Sequence, residues 1–315
     1  MMDMEKKIVG IGETVLDIVF RNGKPQAAVP GGSTFNAMVS LGRTVGVMHP
    51  EVPIVMVTQT GDDMVGEMVT SFMRENNVST EAVNCLPGTQ TTVSVAMLDE
   101  RNDARYEFFR DRSGSSGSFA EMEFNEGDLV IFGSYFAVNP ALRDYTRKIM
   151  KAAHEAGAVI YYDINYRKNH LADLPLTLAN IEENCAMSDF VRGSSEDIAC
   201  IYGSDDAALV YREHIEPLCR NFICTHGAGP VEVFSPGVHA EFKTAKVKTV
   251  STIGAGDNFN AGFVYGLLTA GMGRSQACAM AREDWAGLVK TAGKFSSCVC
   301  RSIFNYVDKD FYKKI

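Results

Sequence analysis

"PIVMVTQTGDDMVGEMVTSFMRENN" (Pro53–Asn77) opens on an apolar, β-branched run and turns, after two aspartates, into a helical period. Met64, Val65, Met68, Val69, Phe72 and Met73 recur at the spacing of a single helix face. A buried strand feeding directly into an amphipathic helix is half of a βαβ unit, and the chain repeats that half on both sides of the stretch. Upstream, "KKIVGIG" (Lys6–Gly12) reads as a buried strand and "TFNAMVSLGRTVG" as a helix. Downstream, "DLVIFGS" precedes a helix from Pro140 to Gly157, "AVIYYDIN" one near Leu176–Cys185, and "DFVRGS" one starting near Ser195. "RNFICTHG" closes the series. Alternation of this kind predicts an α/β fold with a parallel sheet covered by helices, whose ligands sit at the C-terminal ends of the strands.

Two segments interrupt the alternation. Val15–Val29 and Thr91–Phe109, the second as "TTVSVAML–DERNDA–RYEFF", read as extended pieces with turns. They predict a small sheet beside the main one, over about residues 15–30 and 90–110, serving as a lid or as a dimer surface. Neither an internal repeat nor a linker appears, so residues 1–315 read as one domain.

Apolar residues make up 46% of the chain and charged residues 22%, an ordinary globular balance. The net charge of −9 argues against non-specific binding to nucleic acid or anionic membrane. No apolar run has the length of a membrane span. The opening "MMDMEKKIVGIG" lacks the apolar core and cleavage site of a signal peptide, so the expected location is cytoplasmic. Eight cysteines without a CxxC pair are expected as reduced thiols in buried segments, and no zinc spacing of cysteine or histidine is present.

The chemistry concentrates in a few short stretches. In "VSTIGAGDNFNAGF" (Val250–Phe263), Gly254, Ala255 and Gly256 precede Asp257 and a helical run. Small residues at a helix start let an anion approach backbone N–H groups. A carboxylate beside such a site makes sense if it takes a proton from a hydroxyl that attacks the anion. In "VGIGETVLD", Asp17 follows the end of the first strand, where it could hold sugar hydroxyls. No third glycine completes a dinucleotide fingerprint there. "PGGSTFNA" offers Gly31–Gly32 for close approach and Asn36 as donor and acceptor, or is an ordinary turn and helix start. "DINYR" projects Asn165 and Arg167 from a strand end, or forms a salt-bridged loop. Arg110, in "FFRDRSG", is either a lid arginine or a solvated charge. In "GSSED", Ser194 or Ser195 caps a helix, and a functional Glu196 would handle Mg²⁺ through water. "THGAGP" carries Thr225, Gly227 and Gly229 in a turn suited to nucleotide approach, or is nothing more than a turn. No Walker loop or protein-kinase set is present.

"STIGAGDNFNAGF" resembles the C-terminal signature of the ribokinase-like (PfkB-type) carbohydrate kinases, and "PGGSTFNA" with its "LGR" resembles the N-terminal one. "GIGETVLD", "DINYR", "GSSE" and "THGAG" follow in the family's order, so the resemblance spans nearly the whole chain. It implies a three-layer, parallel-sheet fold with a small β lid. The implied activity is transfer of the γ-phosphoryl group of ATP, with Mg²⁺, to a sugar hydroxyl. By position it implies Asp257 as catalytic base and Gly254, Ala255 and Gly256 as the anion hole. Asp17, Gly32 and Asn36 would hold the sugar, with Arg110, Asn165 and Arg167 lining the site and Glu196 managing Mg²⁺ and phosphate. The "DINYR" form is similar to fructokinases and 2-keto-3-deoxygluconate kinases. A nucleoside kinase of the same fold, a non-catalytic sugar-binding regulator and an NAD(P)-dependent oxidoreductase built on "GIG" are the alternatives. Three positions depart from the family pattern: Ser251 where an aspartate of a monovalent-cation site is usual, Gly193 in place of the asparagine of NxxE, and Pro230 where glycine is common.

Overall fold

The structure is a computed structural model that describes residues 6–98, 104–110, 119 and 121–315. The turn expected within "DERNDA", the end of "FFRDRSG" beyond Arg110, and the first five residues lie outside that description. Thirteen strands are described: β1 (Ile8–Ile11), β2 (Val15–Arg21), β3 (Lys24–Gly31), β4 (Ile54–Gly61), β5 (Val83–Leu86), β6 (Val93–Leu98), β7 (Ala104–Phe109), β8 (Leu129–Gly133), β9 (Val159–Asp163), β10 (Phe190–Ser194), β11 (Phe222–Thr225), β12 (Val231–Ser235) and β13 (Val238–Phe242). The chain divides into two compact units.

The first unit comprises the described residues of Met1–Ile8, Glu121–Lys246 and Gly262–Gly293. Its strands run in the order β13-β12-β11-β10-β9-β8. The β8–β9, β9–β10 and β10–β11 pairs are parallel, as the alternation predicts. β8 and β9 are buried along their whole length, the signature of strands covered on both faces. Phe190, Phe263 and Trp285 form the aromatic centre of the core, with Phe190 and Phe263 ring centroids 5.2 Å apart and edge to face. Sequence periodicity misses the antiparallel β12–β13 hairpin, which turns through Gly237 at φ +76°. It also misses the short helix Ser134–Val138.

The second unit comprises the described residues of Val9–Ala120, Val247–Ala261 and Lys294–Ile315. It carries β1-β4-β5 and a separate sheet in the order β3-β2-β6-β7. This is the expected small sheet, built differently from two independent hairpins. The β2–β3 and β6–β7 pairs are antiparallel, and a parallel β2–β6 pair joins them. That pairing sets Asp17 opposite Ser94.

The helix after β4 runs Met64–Glu75, capped by the Asp63 side chain on the Gly66 N–H. Its buried stripe is Gly66, Val69 and Met73, and Met64 and Met68 are 83% and 48% exposed, which corrects the expected face. Gly66 explains the rotation: a Cβ there would lie 2.3 Å from the Gly61 carbonyl oxygen. The glycine side therefore packs against the end of β4, and the two methionines turn outward. The eight cysteines are unpaired, but Cys85 and Cys278 are exposed rather than buried.

Candidate active site

The helix Ala255–Thr269 starts immediately after Gly254, whose φ of +76° suits glycine and would strain any other residue. A Cβ on Gly254 would also meet the Asn305 carbonyl oxygen at 2.8 Å. The turn is tied down by its own helix: the Ala255 N–H donates to Thr252 at 3.2 Å and the Asn258 N–H to Gly254 at 2.9 Å. The Asn258 side-chain amide donates to the carbonyls of Gly254 and Asn305, each at 2.7 Å. Ser40 donates to the same amide's oxygen at 2.5 Å. Asn258 is fully buried, and its bonds hold the Gly254–Gly256 turn in place.

Asp257 sits in the first turn of that helix, 9% exposed. The Ser33 hydroxyl donates to Oδ1 at 2.7 Å and the Asn36 amide to Oδ2 at 2.8 Å. Ser33 and Asn36 stand three residues apart, hence on one face, in the first turn of the helix Ser33–Gly42. Gly32 precedes it at φ +123°, and a Cβ there would lie 2.3 Å from the Glu13 carbonyl oxygen. "PGGSTFNA" is therefore a turn and helix start whose first turn orients the carboxylate.

Asp17 lies in β2, 7% exposed. Ser94 donates a short hydrogen bond to Oδ1, and the Asn305 amide donates to Oδ2 at 3.2 Å. Gly31 leaves the space: a Cβ there would come within 2.1 Å of Asp17 Oδ2. Burial pushes the Asp17 carboxyl up to about 6, and the nearby charges of Asp257 and Glu13 act in the same direction. The hydrogen bonds from Ser94 and Asn305 oppose that rise. Two carboxylates thus face one another electrostatically within the second unit. The Arg110 guanidinium pairs with Glu13 at 3.1 Å and lies 4.8 Å from the Phe108 ring centroid.

The remaining expected residues lie in the first unit. Asn165, at φ +38°, donates to the Ser134 hydroxyl at 2.7 Å, and Arg167 is exposed. Ser194 rather than Ser195 is the cap of the helix Ser195–Tyr202, and its reciprocal partner is Asp197. Glu196 is left exposed in the first turn. Thr225 ends β11 and accepts from Arg192 at 2.5 Å. Arg192 also pairs with Asp163 at 2.9 Å, both side chains being buried. Burial pulls the Arg192 guanidinium down, but the charges of Asp163 and Asp197 outweigh it and hold it above its ordinary value. Gly227 turns at φ +58° with nothing within 4 Å of a Cβ position, and the Gly229 N–H closes the turn on His226 at 2.8 Å.

Asp257, Gly254, Ala255, Gly256, Asp17, Gly32 and Asn36 are thus together in one unit, with Arg110 tied to Glu13 in the same unit. Asn165, Arg167, Glu196, Thr225, Gly227 and Gly229 belong to the other. Sequence reading missed Ser33, Ser94, Asn305 and Arg192. Each is a polar residue whose partner lies far away in the chain, from 29 positions for Arg192 and Asp163 to 288 for Asn305 and Asp17. Among the described residues no group of three or more His, Cys, Asp or Glu could hold a metal ion.

Residues 5–302 match the family described as pfkB family carbohydrate kinase. The chain belongs to that family. It is similar to a fructokinase of Rhizobium leguminosarum bv. trifolii, 25% identical over 267 residues that cover 82% of this chain and 79% of that protein. In structure it is similar to fructokinase from Vibrio cholerae O395 in its fructose, ADP and calcium ion bound form. That match has a TM-score of 0.81 at 20% identity, covering 96% and 95% of the two chains. It is also similar to aminoimidazole riboside kinase from Salmonella enterica complexed with aminoimidazole riboside and an ATP analog. There the TM-score is 0.78 at 18% identity, covering 98% of each chain. The expected ribokinase-like fold holds, and the protein is a carbohydrate kinase, a phosphotransferase with an alcohol group as acceptor. An oxidoreductase built on "GIG" is set aside. No described helix is long and apolar enough to cross a membrane.

Proposed function

We propose that this carbohydrate kinase transfers the γ-phosphoryl group of ATP to a hydroxyl of a neutral ketose, fructose being the best-supported acceptor. The observation that carries the reading is Asp257: it follows the Gly254-Ala255-Gly256 turn and has both oxygens aimed by Ser33 and Asn36. Phosphoryl transfer needs alignment and charge stabilisation more than covalent help. Asp257 takes the proton of the attacking hydroxyl. The helix N-terminus behind it favours the charge that grows on the transferred group. Asp17 accepts sugar hydroxyls, with Gly32 and Asn36 completing the sugar's surroundings.

A neutral acceptor is favoured by charge. Asp17, Asp257 and Glu13 outnumber Arg110, and Arg110 is already compensated by Glu13. Fructose and ADP occur with the Vibrio cholerae structural neighbour, and fructokinase is the activity of the Rhizobium relative. ATP is assigned to the turn after Thr225, where Gly227 has nothing within 4 Å of its Cβ position and Gly229 closes the turn against the His226 backbone. Glu196 is assigned to the Mg²⁺ that accompanies the nucleotide. A single exposed carboxylate suits an ion that keeps several waters and takes other ligands from phosphate. Eight unpaired cysteines support a reducing, cytoplasmic location. The exposed Met97 and Phe109 of the small sheet support its use as a dimer surface, which sedimentation would measure.

The test is a phosphorylation screen of ketoses, sugar acids and nucleosides with ATP and Mg²⁺. Turnover of fructose well above 2-keto-3-deoxygluconate and any nucleoside is expected. Turnover of a nucleoside or a sugar acid alone would replace the acceptor named here, and no turnover of any would leave the non-catalytic reading.

A further inference from the structure

Asn305 belongs to no motif of the chain, yet it touches both halves of the site. It lies beyond the helix Arg282–Val299, 1% exposed. Its backbone is seated on the phosphoryl side. The carbonyl accepts from Asn258 at 2.7 Å, and the Cα and carbonyl stand where a Cβ on Gly254 would be, at 3.1 and 2.8 Å. Its side chain points to the sugar side, with Nδ2 3.2 Å from Asp17 Oδ2 and close to Gly31.

The neighbouring residues keep it there. The Val307 N–H donates to Ser40 at 3.2 Å, and the Val307 carbonyl accepts from Arg43 at 2.7 Å. The Arg43 guanidinium lies 4.6 Å from the Tyr306 ring centroid and also donates to Asn76 at 2.6 Å. The segment is thus clamped, and only the amide itself is left to adjust. Its Oδ1 is buried and has no hydrogen-bond partner among the described residues. A buried carbonyl oxygen without a donor is costly, and the cost disappears when a donor arrives. Beside a carboxylate that accepts hydroxyls, the donor that fits is another hydroxyl of the same molecule.

We infer that Asn305 is a sugar-contacting residue whose Oδ1 accepts one hydroxyl of the acceptor while Asp17, held by its Nδ2, accepts the adjacent one. The ligand class is a polyol with vicinal hydroxyls, and Asn305 contributes to specificity for it. Because the backbone of the same residue backs the Gly254 turn, sugar occupancy and the phosphoryl-binding turn share one anchor. The inference rests on the sugar-kinase reading above.

The experiment compares wild type and Asn305→Ala on fructose and on its monodeoxy analogues, with ATP saturating and then varied. In wild type, one deoxy position is expected to lose about tenfold in kcat/KM through this contact. In Asn305→Ala, fructose KM rises about tenfold, ATP KM stays within about twofold, and the penalty of that deoxy analogue disappears. Deoxy penalties unchanged between the two enzymes, with wild type active on fructose, would overturn the role of Asn305 alone. Wild type inactive on fructose would instead overturn the kinase reading of the acceptor. Should Asn305→Ala fail to fold, a fructose complex of the wild type decides. A sugar oxygen within hydrogen-bond reach of Asn305 Oδ1 is expected, and a protein donor there instead would sink the proposal.

Discussion

The Asn36 amide donates to Asp257 Oδ2 at 2.8 Å, while its own Oδ1 is buried without a hydrogen-bond partner among the described residues. Asn305 repeats the arrangement at Asp17. Each carboxylate is steadied by a carboxamide that keeps an acceptor in reserve. A polyol supplies what both amides lack, namely hydroxyl donors.

Asp257→Asn keeps the shape of the side chain and removes the proton acceptor. The expected loss in kcat is on the order of 10²–10⁴-fold, with fructose and ATP binding nearly unchanged. Steady-state kinetics together with equilibrium binding of both substrates checks this, and turnover within a few-fold of wild type would exclude Asp257 as the base.

Asp17→Asn should stabilise the fold while weakening sugar binding. The folded carboxyl sits at about 6 against 3.8 for the ordinary value, so between those limits the folded state holds the proton that the unfolded state has lost. Stability therefore falls as pH rises through that window and stays lower above it. Removing the charge is expected to return about 1–3 kcal/mol at pH 7 and little at pH 4. Denaturant melts at the two pH values test it, and equal effects at both would refute the burial cost.

The same group sets a pH dependence of function. Under the proposed function, ionised Asp17 is expected to hold fructose best, since a carboxylate accepts stronger hydrogen bonds than a carboxylic acid. Fructose kcat/KM is expected to drop below about pH 6 in wild type. In Asp17→Ala the fructose KM should already be raised strongly at pH 7 and should lose that pH step, with ATP affinity little altered. A wild-type profile flat from pH 7 to 5 would contradict it.

Gly32→Ala meets two obstacles at once: φ of +123°, and the Glu13 carbonyl 2.3 Å from where the Cβ would sit. The helix start that carries Ser33 and Asn36 must shift, at a cost of about 1–3 kcal/mol from the backbone conformation alone. A lower Tm and a raised fructose KM are expected together. A variant with both unchanged would show that the turn does not depend on glycine.

Ser251 stands where the family resemblance expects a carboxylate of a monovalent-cation site. It is buried, and its hydroxyl accepts from the Ile253 N–H at 3.2 Å. A hydroxyl offers a cation much less than a carboxylate does, so activity is expected to depend little on K⁺ against a bulky organic cation at fixed ionic strength. Several-fold activation of wild type by millimolar K⁺ would overturn this, and Ser251→Asp is expected to introduce it.

The sequence by itself determined the alternating strands and helices, because burial on both faces makes each strand a short apolar run and each covering helix an amphipathic one. It also marked Asp257 behind its glycine turn, and Asp17 and Asn36, as candidate site residues, because they sit in contiguous motifs. Tertiary structure decided what periodicity cannot reach. The parallel β2–β6 pair sets Asp17 against Ser94 across 77 positions. Gly66 rotates the Met64–Glu75 helix so that Met64 and Met68 face outward, since its fit against Gly61 outweighs their hydrophobicity. Arg110 could be read from sequence only as lid or solvent charge, since its partner Glu13 lies 97 positions away. Asn305 lies 288 positions from Asp17, and no local pattern marks an asparagine as part of a site. Its role follows from being buried beside a carboxylate with one acceptor unsatisfied, a property of three-dimensional packing that the order of residues does not carry.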